Sequence, residues 1–114
     1  MPEITDAALV AALRRQMTIS VAKQVAAAGN LANVDTPNYK AVEPTFAEAL
    51  DGQLSADDAR MQEIAGLQPR LDGNTVQLDR ELLTMGRAAG DFSAAQTALA
   101  AKFRLIRYAI NEGK

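Results

Sequence analysis

Proton shuttling and covalent catalysis draw first on histidine and cysteine, and this sequence contains neither. Ser20, Ser55 and Ser93 therefore have no imidazole to activate them, and Ser55 reads better as a helix cap. Asp57 and Asp58 suggest a cation site, but adjacent residues on a helix point in different directions, so a solvated acidic turn explains them. Asp72, Gly73 and Asn74 match a fragment of a calcium loop without the remaining ligand spacing, and read as a turn. No glycine-rich phosphate cradle is present. Lys102, Arg104 and Arg107 could touch phosphates, yet three charges near a helix end also complement its dipole or pair with a neighbour's acids. A net charge of −2 supplies no broad cationic field for nucleic acid. These residue types point away from an enzyme and from any cofactor or metal site.

What stands out instead is directional but not titratable. In "AAAGNLANVDTPNYK", Ala26 to Lys40, a helix-forming run closes on a crowd of turn-forming polar residues. Asn30 and Asn33, three apart, lie on one helix side and offer amide donors and acceptors to a neighbouring backbone. Asp35 and Thr36 can bond local N–H groups. Pro37 sets φ at the first central position of a β-turn, and Asn38 tolerates the left-handed conformation that a type II turn needs next. Tyr39, one of two tyrosines, and Lys40 then leave the turn in a defined direction. So dense a set of directional groups exceeds what helix termination requires.

The elements that must position this turn are helical. Thr5 or Asp6 caps a first helix on which Leu9, Leu13, Met17, Val21 and Val25 recur every fourth residue, with Ala28 continuing the stripe. From Leu78, alternating steps of four and three reach Leu82, Met85, Ala89, Phe92, Gln96, Leu99, Phe103, Ile106 and Ile110. That heptad seam predicts a helix of more than 30 residues packed lengthwise on another helix. Gly86 and Gly90 weaken it by about 1 kcal/mol each and leave room for a neighbouring backbone. Between the arms, residues 35–79 hold nine acids against three bases and are punctuated by proline and glycine. Short helical turns are expected at "TFAEAL", whose Thr45 and Glu48 have capping-box spacing, and at "ARMQEIA", preceded by the same spacing at Ser55 and Asp58, and a turn at Asp72–Asn74.

The expected fold is all-α: residues 1–34 and 78–114 form two long helices pairing as a coiled coil, and 35–77 form an irregular, partly extended or flexible acidic connector. At 114 residues, 48% hydrophobic but rich in alanine and without tryptophan, the chain offers little bulk for a self-sufficient core. No apolar run reaches the roughly 20 residues that span a bilayer, so no direct membrane insertion is expected. The N-terminus, with acids ahead of its Arg pair, does not read as a cleavable signal peptide.

The turn also carries a resemblance. "NLANVDTPNYK" resembles the N-terminal signature of bacterial flagellar axial proteins (rod, hook and hook-associated proteins), Asn-x-x-Asn-x-x-Thr-x-Gly-Tyr-Lys. Asn30, Asn33, Thr36, Tyr39 and Lys40 fall on it in register, and Asn38 stands where the family usually has Gly. "LANVDTPNYKA" with the following "TFAEAL", "DGNTVQLDREL" at 72–82 and "LAAKFRLIRYAINEG" are similar to segments of that family's short proximal-rod branch. The family's usual Tyr in the middle of the last helix is not evident, and Phe92 stands as the candidate for that role. The resemblance implies a structural, self-assembling subunit of the proximal rod of the flagellar basal body, serving motility. It implies partners among rod and basal-body proteins of the FlgC, FlgF and FliE types and copies of itself. It also implies export through the flagellar type III apparatus, without a cleaved signal, to the rod in the periplasmic space. The residues alone leave two other readings open, a FlgC-type rod protein and a cytoplasmic helical adaptor or export chaperone.

Overall fold

The structure is a computed structural model that describes residues 6–46 and 59–112. Helix α1, Asp6–Ala32, leads through a turn into strand β1, Val42–Phe46. Strand β2, Ala59–Glu63, follows, and helix α2, Leu78–Glu112, closes the chain. The two helices run antiparallel: Asp6 at the start of α1 meets Lys102 near the end of α2 at 2.5 Å. At the opposite end, the turn after α1 is bonded to the segment before α2. At about 1.5 Å per residue the 35 residues of α2 span roughly 50 Å. The molecule is 68 × 27 × 25 Å with a radius of gyration of 18.5 Å, against about 13 Å for a compact chain of this length. It is a rod with a small hairpin on its side.

The helix seam differs in register from the expected one. On α2 the residues buried against the rest of the chain are Glu81, Ala88 and Ala95, at seven-residue steps, with Met85 and Phe92 half-buried between them and Leu99 and Ile106 half-buried beyond. The other half of the expected seam, Leu78, Leu82, Ala89, Gln96, Phe103 and Ile110, is exposed. On α1 the buried residues are Ser20, Ala22, Ala26, Ala27 and Asn30. Of the expected stripe, Leu13 and Met17 are half-buried, while Leu9, Val21 and Val25 are exposed. Small side chains are the physical reason: alanines let two backbones approach closely, and the bulky residues are left to flank the seam. Gly86 and Gly90 are exposed with open space where a Cβ would stand, so no described backbone approaches them.

The middle is extended rather than helical where it is described. β1 and β2 pair antiparallel, Val42 opposite Glu63 and Phe46 opposite Ala59. "ARMQE" consists of good helix formers, but pairing with the Val-, Thr- and Phe-bearing β1 overrides that preference. Pro44 is tolerated because a two-stranded sheet has only edge strands. The rest of "TFAEAL" beyond Phe46, with Glu48, Ser55, Asp57 and Asp58, lies outside the described residues.

Candidate functional site

The densest polar structure lies where α1 ends and α2 begins. Past Ala32 the backbone tightens: the Asn33 N–H donates to the carbonyls of Gly29 and Asn30, and Thr36 N–H to Asn33 O at 3.0 Å. Thr36 O accepts from Tyr39 N–H at 3.3 Å, closing a turn whose central residues are Pro37 and Asn38. Asn38 has φ +63°, the left-handed value a type II turn demands at that position. Thr36 and Asn33 are tied side chain to side chain, the hydroxyl donating to Asn33 Oδ1, while Asn33 Nδ2 donates back to Gly29 O. Asp35 and Pro37 are exposed.

Asn30, 1% exposed, acts as a rung of backbone. Its Nδ2 donates to Val42 O at 2.9 Å and its Oδ1 accepts from Val42 N–H at 3.0 Å. One side chain thus pairs the last turn of α1 with the start of β1. Tyr39 Oη donates to the same Oδ1 at 3.3 Å and holds the amide in orientation.

A second segment, 70–76, docks on this turn. Asp72 O accepts from Asn38 N–H, Tyr39 O from Thr75 N–H, and Gly73 O from Lys40 Nζ. Ala41 N–H donates to Thr75 Oγ1 at 2.8 Å. Asn74 is wholly buried at the centre. Its Nδ2 lies within 2.8–3.1 Å of the carbonyls of Asn33, Val34 and Thr36, and its Oδ1 accepts from Val76 N–H at 2.7 Å. One residue some 40 positions later thus adds a second donor to the carbonyls of Asn33 and Thr36, which already accept from Thr36 N–H and Tyr39 N–H, and reaches Val34 O as well. The Arg70 guanidinium adds bonds to Val34 O and Val76 O. Gly73, φ +83°, is required twice over, because a Cβ there would also collide with the Asn38 side chain.

Sequence reading placed Asn30, Asn33, Asp35, Thr36, Pro37, Asn38, Tyr39 and Lys40 together; six of them bond within this junction, while Asp35 and Pro37 face solvent. It assigned Asn74 to a turn and to the segment resembling the family's entry to the last helix, and gave Thr75 and Arg70 no part. Glu81, within the "DGNTVQLDREL" segment, is 1% exposed, with Arg80 Nη1 at 3.3 Å and Glu43 on the far side of Arg80. Among the described residues there is no group of three or more acids, histidines or cysteines that could hold a metal ion. None of the described helices is long and apolar enough to cross a membrane. Chemically, the junction can fix geometry: it sets the direction of the helix pair and of the hairpin relative to one turn.

With that geometry in view, the comparisons with known proteins are informative. No protein-family model matches the chain. Its sequence is similar to the flagellar basal body rod protein FlgB of Bacillus subtilis (strain 168), with 26% identity over 109 residues, covering 81% of this chain and 84% of that protein. The likeness is low in identity but long in span. It suggests a member of the flagellar rod protein family.

Proposed function

We propose that this chain is a structural subunit of the bacterial flagellar basal-body proximal rod, built to assemble with other axial proteins. The observation that carries the reading is the junction. On the axial-protein signature, Asn30, steadied by Tyr39, joins the end of α1 to the start of β1, Asn33 and Thr36 brace the turn, and Lys40 reaches the lead-in to α2. A signature whose members all serve one rigid corner suits a polymer, in which every copy repeats the same angle. The similarity to FlgB over most of the chain supports it, as does an elongated shape with apolar side chains left exposed on both helices.

In this reading α1 and α2 pair as an antiparallel coiled coil through Glu81, Met85, Ala88, Phe92, Ala95, Leu99 and Lys102, spaced alternately by four and three. Partners are rod and basal-body proteins of the FlgC, FlgF and FliE types and further copies of this chain, reached by type III export. Its place is the rod, and its role is mechanical rather than catalytic. Deletion of the gene tests the proposal. The expected outcome is non-motile cells without assembled rods or hooks, restored by the intact gene; assembled hooks in the deletion strain would refute it.

A further inference from the structure

Met17, Val21 and Val25 of α1, Met61 of β2 and Phe92 of α2 line an open groove of about 500 Å³ on one side of the rod. Val21, Val25 and Met61 are 46%, 59% and 48% exposed, so the groove is an apolar surface without a cover among the described residues. Side chains alternate along a strand, so Glu63 shares the face of Ala59 and Met61 and stands at the end of this apolar floor.

A matching object exists on the same chain. Beyond the ion pair of Asp6 with Lys102, α2 continues to Glu112. Phe103 and Ile110, 51% and 62% exposed, sit seven residues apart, and Ile106 lies between them within about 60° around the helix. Arg107 flanks this stripe, about 40° from Phe103. Among the described residues neither Glu63 nor Arg107 has an ion-pair partner.

The stripe cannot reach its own groove. Phe92, in the groove, and Ile106, in the stripe, lie on one continuous helix, about 21 Å apart at 1.5 Å per residue. We propose that the groove receives the Phe103–Ile106–Ile110 stripe of a second copy of this chain, with the second copy's Arg107 placed against Glu63. Groove and stripe are different patches, so unless two copies return the contact to each other about a two-fold axis, every added copy leaves one groove and one stripe free and the contact repeats. It deepens the rod-subunit reading, on which it rests, by naming one subunit-to-subunit contact. One helix face in one groove is small beside the roughly 1,600 Å² of a stable interface, so it forms in concentrated or assembled protein.

The chain has no cysteine, which makes directed cross-linking clean. Met61→Cys and Ile110→Cys variants of the full chain, one of each, are mixed at high concentration and oxidised. The expected product is the mixed disulfide, several-fold above either same-variant disulfide. Arg107→Glu in the second variant should reduce it to the statistical level, and Glu63→Lys in the first should restore it. A product no better than statistical, or charge exchange that fails to restore it, overturns the proposal. So does efficient disulfide formation within one chain carrying Met61→Cys and Leu50→Cys, since the groove would then be covered by its own chain. The deletion test separates the two ideas: a rodless deletion strain with no mixed disulfide removes only this contact, and a normal rod with a strong mixed disulfide removes only the rod reading.

Discussion

Around Asn74 polar side chains meet backbone groups at nearly every turn, whereas along the far half of α2 the bulky side chains Phe103, Leu105, Tyr108 and Ile110 stand exposed. Between them lies a seam of alanines, Ala22, Ala26, Ala27, Ala88 and Ala95. The contrast separates two jobs. Directional bonds at the junction specify one geometry within the chain, and in the proposed rod the undirected apolar surface at the far end is the part left for association. The two regions should accordingly fail in different ways when altered.

The largest effect is expected at Asn74. Asn74→Ala leaves the buried Val76 N–H without its partner, at a cost of about 1–3 kcal/mol, and removes the second donor from the carbonyls of Asn33 and Thr36. The junction should open, read as loss of the cooperative melt by circular dichroism. Asn74→Asp, nearly the same shape, should be at least as harmful, because an acceptor would face three carbonyls. A melt within experimental error of the parent would show that the junction does not hold the molecule together.

Next comes the contact of two left-handed residues. Gly73→Ala adds a strained φ and a clash with the Asn38 side chain, for a loss of roughly 1–2 kcal/mol or more. In an Asn38→Gly background that clash is gone, so the same change should cost less. Denaturant titration of the four proteins gives the coupling, and strict additivity would mean that the two turns do not touch. Asn38→Gly alone should be tolerated, since it removes a Cβ at φ +63°. Asn38→Val should be harmful to stability and motility alike, and equal behaviour of Gly and Val would remove the left-handed turn from the account.

The smallest change in stability, with a large change in function, is expected at the far end. Ala95→Leu overpacks a buried seam position and should cost about 1–3 kcal/mol. Phe103→Asp alters an exposed site and should move the stability of the isolated chain by no more than about 0.5 kcal/mol. Swimming should nevertheless be lost while the protein is still made and exported. Normal swimming would show that this surface is not used in assembly.

Sequence reading went furthest where structure is local. Pro37 and Asn38 specify their turn with their own backbone preferences, and Asn30 and Asn33 announce a polar helix end. Asn74 was illegible as a linchpin, because its partners at 33, 34 and 36 are distant in sequence and any turn would host an asparagine. The helix seam was shifted because bulk was taken as the mark of burial. Met85, Phe92, Leu99 and Ile106 belong to both registers, and only packing reveals that Ala88 and Ala95, rather than Leu82 and Phe103, accompany them. β2 was unreadable for a related reason, since Ala59 to Glu63 favour a helix until β1 lies beside them.

Amide hydrogen exchange on the isolated full chain, compared with the same chain in assembled rods, tests the division of labour most directly. In isolation the N–H groups of Ala41, Val42, Thr75 and Val76, all bonded within the junction, should be the slowest to exchange. Residues 103–112 should exchange orders of magnitude faster and become protected only on assembly. Equal protection of both regions in the isolated chain would contradict the account, because the far end would then need no neighbour.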